Sequence, residues 1–353
     1  MDTSVIESVE AIKKADPGEM LTKIKDLPLQ IKDAWKIVQA ATLPPAYGDV
    51  RNITILGMGG SAIGGEFAGA LLADELKVPL SIHRDYGIPG YIGRDSLVIA
   101  SSFSGNTEET LSGFDEAKKR GAKILAITTG GRLAEEAKAQ RLPLITFGYH
   151  AQPRAALGYS LTLVLGVLEK LGFAHDMGKE IDQALADVAK LEERVHEGAR
   201  TNDAKKMAIE LVGKIPVVFG AGVMGVMARR VKDQWNENAK NWAHYDVMSE
   251  LNHNAVVGFP KPAIAREAHV VLMLRSSRDN PRHRIRFDVT RELLDRAQIP
   301  HRDLQFDGGS MLSEILQMTY FTDYVSFYVA LLNGADPSPV TSIDYLKDRL
   351  AKA

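Results

Sequence analysis

The stretch ILGMGGSAIGG, residues 55–65, joins the end of an apolar run to a segment of small residues. A strand, a glycine-rich turn and a helix in this order are typical of α/β folds that bind phosphate groups. The match to the dinucleotide fingerprint G-x-G-x-x-G is loose, because Ser61 stands near the place of the third glycine. Asp85, the acidic residue that would bind a ribose, also lies further along the chain than the dinucleotide fingerprint requires. The stretch alone therefore leaves a dinucleotide and a smaller ligand open.

From this stretch onward, short apolar runs alternate with helical segments. Five runs, each rich in Val, Ile or Leu and too short for a buried helix, cover residues 52–57, 79–84, 96–102, 122–129 and 142–148. Continuous apolar strands separated by helices predict a parallel sheet covered by helices on both faces. The same rhythm restarts at 215–222 and continues through 268–276 and 299–306. We therefore predict an α/β protein with two doubly wound parallel sheets, each in a three-layer αβα arrangement.

The pattern divides the chain into five segments. Helical spacing up to Pro44-Pro45 predicts an N-terminal helical segment, and a long charged stretch predicts a helix that links the two sheets. The predicted segments are 1–45 (helical), 46–175 (first domain, phosphate-binding), 176–206 (linking helix), 207–309 (second domain) and 310–353 (C-terminal helices). Only the first half shows a serine-rich loop after a strand, so we expect the anchor for a ligand there and none in the second half.

The composition narrows the class of protein. The 353 residues include 43 basic and 45 acidic ones, a net charge of −2, so nucleic acid is not an expected partner. Cysteine is absent, which excludes disulfides, thiolate zinc sites and a cysteine nucleophile. The N-terminal residues lack the apolar core of a signal peptide, and no apolar run approaches the roughly 20 residues that span a bilayer. We expect a cytoplasmic protein with no membrane partner.

The turn after the third apolar run concentrates hydroxyl groups. In SSFSGNTEET, residues 101–110, the side chains of Ser102, Ser104 and Thr107 fall between a strand and a helix. Hydroxyls and unpaired backbone N–H groups at a helix N-terminus favour a small anion. One hydroxyl would be enough if the residues only capped the helix. Three clustered hydroxyls favour a phosphate monoester over a long dinucleotide.

These motifs carry a family resemblance. GMGGSAIGG followed by SSFSGNTEET resembles the sugar-isomerase (SIS) domain family. Further matches in the right order resemble the bifunctional phosphoglucose/phosphomannose isomerases, with two tandem SIS domains: PRA at 153–155, GYS at 158–160, NENAK at 236–240, ELNHN at 250–254 and IDYLK at 343–347. The resemblance implies interconversion of glucose 6-phosphate and mannose 6-phosphate with fructose 6-phosphate through a cis-enediolate, without metal or cofactor. It places the enzyme in carbohydrate metabolism, in glycolysis and gluconeogenesis.

The resemblance also implies roles for four residues. Glu237 would be the base that moves a proton between C1 and C2, a role that suits a carboxylate. His253 would open the sugar ring, and in this family the histidine comes from the neighbouring subunit of a homodimer. Arg154, whose charge is permanent, would face the enediolate. Lys347 matches a lysine that lies near the sugar ring. From periodicity alone, Glu237 and Lys347 would both be assigned to solvated helix faces.

The remaining implied residues bind the substrate. Ser102, Ser104 and Thr107 would hold the phosphate, and Ser61 would close around the sugar. Gly59 and Gly60 would let the backbone approach closely, because they lack a Cβ. Phe103 stands where the family more often shows tyrosine, which leaves the three hydroxyls in place.

Three other functions stay open at this point. SIS domains also serve as sugar-phosphate sensors without catalysis, although residues 1–45 show no convincing DNA-binding helix-turn-helix. A nicotinamide-dependent dehydrogenase would rest on the glycine loop alone. A related SIS isomerase acting on another phosphorylated sugar is the closest alternative.

Overall fold

The computed structural model describes residues 3–352. Its chain forms two compact units. The first unit comprises residues 26–183, and the second comprises the described residues of 1–25 and 184–353. The five-segment division stays a prediction, because compactness alone does not locate the ends of an independently folding domain.

Helices and strands alternate through most of the described chain. The α-helices, numbered α1 to α15 in chain order, are Val9–Ala15, Met20–Lys25, Leu27–Ala40, Gly59–Leu71, Glu108–Lys119, Gly131–Ala139, Leu157–Lys170, Gly178–Val195, Asp203–Leu211, Val223–Glu237, Ala255–Gly258, Ala265–Ala268, Pro281–Ala297, Met311–Leu332 and Thr341–Leu350. The strands, numbered β1 to β9, are Asn52–Leu56, Leu80–His83, Ser96–Ser102, Lys123–Thr128, Leu144–Thr146, Ile215–Ala221, His244–Met248, His269–Ser276 and His301–Phe306.

The first unit contains a five-stranded parallel sheet in the order β2-β1-β3-β4-β5. Helices cover both faces. One face, which includes Val98 and Ala126, packs against Phe114 of α5 and Leu133 of α6 in a buried cluster. The other face lies under α4, where the missing side chain of Gly65 admits Ile55 of β1. The chain turns in opposite directions after β1 and β3, and this switch point is where open α/β sheets bind ligands.

The second unit repeats the plan with four parallel strands in the order β7-β6-β8-β9. Phe287 and Leu294 of α13 pack on one face against Phe219 and Met273. On the other face, a buried ion pair of 2.9 Å joins Arg230 of α10 to Asp323 of α14. Both sheets are parallel and flanked by helices, so the predicted fold class is confirmed. Among the described residues, the structure contains no helix with the length and apolar character needed to cross a membrane.

Candidate functional site

The first unit brings two predicted loops to the carboxyl edge of neighbouring strands. The loop after β1 leads into α4, which begins with Gly59 and Gly60. The turn between β3 and α5 runs from Ser102, the last residue of the strand, to Thr107. The buried hydroxyl of Ser61 joins the two loops, because its Oγ accepts a hydrogen bond of 3.1 Å from the N–H of Phe103. A serine that accepts in this way still has its own proton to donate.

The loop after β3 contains a pair of hydroxyls. The Oγ of Ser102 and the Oγ1 of Thr107 lie 2.9 Å apart, and Ser102 also accepts from the N–H of Gly105 at 3.1 Å. Thr107 occupies the N-cap position of α5, yet its side chain makes no capping bond. The hydroxyls therefore do not act as a simple helix cap. The pair uses one of its two protons internally and leaves the other available to donate, beside N–H groups of the first turn of α5 that have no partner within the helix.

Ser104 differs from the other two hydroxyl residues. It is exposed, and its Oγ accepts from the N–H of Asn106 at 3.2 Å. The carboxamide of Asn106 in turn accepts from the N–H of Arg132 at 3.0 Å, which ties the loop to the start of α6. Ser104 thus lies on the outer part of the same turn.

Glycine suits positions 59 and 60 for different physical reasons. Gly59 is exposed with φ of +45°, a conformation that glycine adopts without strain. At Gly60, a Cβ would overlap the carbonyl oxygen of Pro153 and come within 3.0 Å of the Arg154 nitrogen. Gly60 therefore lets the backbone of α4 approach the backbone that carries Arg154.

Arg154 lies in a short 3-10 helix, Pro153–Ala155, between β5 and α7, and is only 3% exposed. A cavity of about 10 Å³ adjoins this segment and the two loops. Its lining consists of Gly60, Ser61, Ser101, Phe103, Ile127, Phe147, Pro153, Ala156 and Ser160. A space of this size holds about one water.

The second unit contains the other three predicted residues. Glu237, which is partly buried, is the last residue of α10, a helix that starts after Gly222 with φ of +51°. The side chains on either side of Glu237 fix the helix end: Asn236 donates to the carbonyl of Asn241 at 3.0 Å, and Asn238 donates to the hydroxyl of Ser326 at 3.1 Å. Glu237 therefore lies at a well-anchored helix terminus.

His253 and Lys347 lie on exposed parts of the second unit. His253 ends the 3-10 helix Glu250–His253 and is exposed, while its neighbour Asn252 donates to the Oγ1 of Thr290 on α13 at 2.9 Å. Lys347 lies on α15, a helix in which every residue is exposed. The first unit thus collects Gly60, Ser61, Ser102, Thr107 and Arg154, whereas Glu237, His253 and Lys347 belong to the second.

Comparisons with known proteins agree with this arrangement of two sheets. The SIS domain model matches residues 47–145, and the model of the bacterial phospho-glucose isomerase C-terminal SIS domain matches residues 200–350. A bifunctional phosphoglucose/phosphomannose isomerase from Caldicellulosiruptor bescii is 39% identical over 94% of this chain and 99% of its own. The chain belongs to the bifunctional phosphoglucose/phosphomannose isomerase family. A second relative of the same name, from Aquifex aeolicus, is 36% identical over 86% of this chain and 91% of its own. The family resemblance predicted from the motifs is confirmed.

Solved structures share the fold of this family member at low sequence identity. A hypothetical protein from Thermus thermophilus superimposes with a TM-score of 0.74 at 17% identity, over 99% of this chain and 94% of that one. A putative phosphosugar isomerase from Clostridium difficile reaches 0.69 at 14% identity, over 91% and 95%.

The second sheet of this isomerase family member has a loop that the sequence analysis missed. Ser276 is the last residue of β8, as Ser102 is of β3, and Ser277 follows it, so the expectation of no serine-bearing loop in the second half was wrong. Both hydroxyls donate to the carboxylate of Glu314 on α14, each at 2.5 Å, and Glu314 is fully buried. Burial also raises the pKa of Asp279 in this loop. An internal carboxylate thus accepts from both hydroxyls of the second loop, whereas the pair in the first loop keeps one proton that it can donate.

Proposed function

We propose that this chain interconverts glucose 6-phosphate and mannose 6-phosphate with fructose 6-phosphate. Membership in the family makes it an isomerase, and the hydroxyl pair of Ser102 and Thr107 beside the open first turn of α5 is the observation that carries the proposal. A phosphate dianion needs several donors in a small space, and this turn supplies hydroxyl and backbone donors together.

The phosphate is anchored by Ser102, Ser104 and Thr107, with Ser61 next to the sugar. Ser61 and Ser102 have their oxygens occupied as acceptors of backbone N–H groups, at 3.1 Å in both cases. Ser61 therefore keeps its own proton to donate, and the Ser102–Thr107 pair keeps one of its two, which is what an anion requires. Gly59 borders the sugar, with open space where a Cβ would lie, and Gly60 holds the Arg154 segment close.

The chemistry then needs a base, a positive group and a proton donor to the ring. Glu237 takes the proton from C2 of the aldose, which forms the double bond of the cis-enediolate and places the negative charge on O1. The hydroxyl proton of O2 then passes to O1, and Glu237 returns its proton to C1, which leaves the C2 carbonyl of the ketose. Arg154 stabilises the negative oxygen of that intermediate. Lys347 lies near the ring. The scheme needs neither a metal nor a cofactor, because the proton moves between two adjacent carbons and no electrons leave the substrate.

His253 opens the ring by protonating the ring oxygen as the anomeric hydroxyl loses its proton, a task suited to imidazole. We assign it to the site of the neighbouring subunit in a homodimer. Its exposure supports this, because the backbone around it is fixed by Asn252 while the imidazole remains on the surface of the chain.

The test is a coupled assay of the purified protein with glucose 6-phosphate and mannose 6-phosphate as separate substrates. The proposal expects turnover of both to fructose 6-phosphate. Turnover of glucose 6-phosphate alone would limit the substrate range, and tight binding of sugar phosphates without any turnover would indicate a sensor. Turnover of neither hexose phosphate would contradict the proposal.

A further inference from the structure

The segment that carries Arg154 is held by a helix from the N-terminal part of the chain. Three side chains of this helix region, Asp26, Gln30 and Asp33, are spaced i, i+4 and i+7 and therefore share one face. All three bond to residues 149–159, which surround Arg154 on both sides. This face of α3 thus forms the support of the arginine segment.

Gln30 makes the central connection. Its Nε2 donates to the carbonyl of Ala155 at 2.7 Å, and its Oε1 accepts from the N–H of Gly158 at 3.1 Å. Gln30 is 1% exposed, so neither bond competes with bulk water. A Cβ on Gly158 would lie 2.6 Å from the Cβ of Gln30, which shows how closely the two backbones approach. One amide therefore joins the residue after Arg154 to the first turn of α7.

Two tyrosines fix the ends of the same segment. Tyr149 donates to Asp26 at 3.1 Å and Tyr159 donates to Asp33 at 2.8 Å. Burial, followed by the nearby carboxylates, raises the pKa of both phenols, which keeps them protonated as donors. The ring of Tyr159 stacks on Phe147 at 4.5 Å, and Phe147 meets the ring of Phe103 edge-on at 5.9 Å. The support of Arg154 thus continues into the hydroxyl loop.

We propose that Gln30 is a positioning residue for Arg154: by bridging Ala155 and Gly158 it holds the guanidinium where it faces the enediolate. The inference rests on the proposed function, since it needs Arg154 in the reaction. Gln30 itself does not touch the substrate. Displacing a catalytic group by about 1 Å can lower a rate by about 100-fold, so a loss of this bridge should reduce turnover far more than substrate binding.

The experiment compares Gln30→Met with Gln39→Met in the full-length protein. Gln39 lies on the same helix but is exposed, and its side chain donates at the surface to Glu169, at 3.2 Å. We expect kcat of Gln30→Met to fall roughly 10- to 100-fold with KM for fructose 6-phosphate little changed. Gln39→Met should behave like the wild type. Equal kinetics of the two variants would overturn the inference, whereas a wild type without isomerase activity would overturn the proposed function instead.

A second readout separates positioning from a general loss of folded protein. A phosphorylated hydroxamate that mimics the planar enediolate should bind Gln30→Met more weakly by the same factor as kcat falls, and a binding constant does not depend on the active fraction. In an Arg154→Met background, adding Gln30→Met should cause little further loss of kcat, because the two residues act as one unit. Unchanged hydroxamate affinity, or additive losses in the double variant, would show that Gln30 only stabilises the fold.

Discussion

The hydroxyl groups of Ser102 and Thr107 lie 2.9 Å apart across the turn that joins β3 to α5. Because only one of their two protons is needed between them, the other is free to bind an anion. The same turn presents backbone N–H groups that have no partner within the helix. The pair therefore has one hydroxyl proton to donate, next to these backbone N–H groups.

Removing either hydroxyl should weaken phosphate binding. A hydrogen bond to a charged group contributes about 1.5–3 kcal/mol, so Ser102→Ala or Thr107→Val should raise KM for fructose 6-phosphate roughly 10- to 100-fold. The double variant should lose less than the sum, which steady-state kinetics can measure. Thr54→Val is the matched control, since Thr54 forms a similar pair with Ser81 at 3.0 Å within the sheet. A Thr54 variant with the same KM effect would contradict this assignment.

The fold could be predicted where strands are buried on both faces. The run 96–102 coincides with β3, in which every residue is buried, and 215–222 includes β6. β7 was not predicted, because its sequence HYDVM is mostly polar and only Met248 is buried at this sheet edge.

The candidate site was only partly predictable for a related reason. The hydroxyl residues of the Ser102 loop are neighbours in the sequence, so their spacing identifies the loop. Ser276 and Glu314 are 38 residues apart, and no local pattern connects them. The Gln30 bridge spans 125 residues to Ala155. Such pairs depend on how α3 and α14 pack, which periodicity does not specify.

The close backbone approach at Gly60 predicts a second effect on catalysis. Gly60→Ala would place a methyl group against the Pro153 carbonyl and push the Arg154 segment away from α4. We expect kcat to fall by about 10-fold or more, with a smaller change in KM. Gly69→Ala on the same helix is the control, because its added Cβ meets only the flexible end of Leu80, at 2.8 Å. Equal kcat values for the two variants would exclude a role for the Gly60 contact.

A subunit-mixing experiment tests Glu237 and His253 together. Glu237→Gln should still bind fructose 6-phosphate but lose roughly 100- to 10,000-fold in kcat. His253→Ala should lose turnover of substrates whose sugar ring is closed. If His253 serves the neighbouring subunit, each mixed dimer has one intact site, and a refolded equal mixture should recover about a quarter of wild-type activity. A mixture as inactive as its two components would place His253 in the site of its own chain or exclude the dimer.

The pH dependence of stability should show a contribution from His175. Its Nδ1 lies 2.8 Å from Glu75 and its Nε2 lies 3.3 Å from Glu180. The bond to Glu75 raises the pKa of this imidazole above its value in the unfolded chain. The stabilisation is therefore complete below pH ~6.5 and is lost as the pH rises through the elevated folded pKa. The side chain is about half exposed, so we expect less than about 1 kcal/mol.

Thermal melts between pH 5.5 and 9 can measure this contribution. His175→Gln should remove the part of the pH dependence that the wild type shows on the alkaline side of neutrality, at equal ionic strength. His150→Gln, at an exposed position after β5, provides the comparison. A His175 variant whose melting temperature changes with pH just as in the wild type would rule out the carboxylate pairing.

The buried carboxylate of Glu314 should be essential for the second unit. Glu314→Ala leaves the hydroxyls of Ser276 and Ser277 without their acceptor and opens a cavity at a fully buried position. Each unsatisfied hydroxyl costs about 1–3 kcal/mol, so the free energy of unfolding in urea should fall by ~3 kcal/mol or more. Glu314→Gln keeps the shape and one acceptor oxygen and should lose less stability.

Anions provide a second test of the Glu314 site. Because the alanine variant leaves an empty anion site, acetate or inorganic phosphate should raise its melting temperature more than that of the wild type. Equal stability of the two variants, with no selective effect of either anion, would mean that the serines do not depend on this carboxylate.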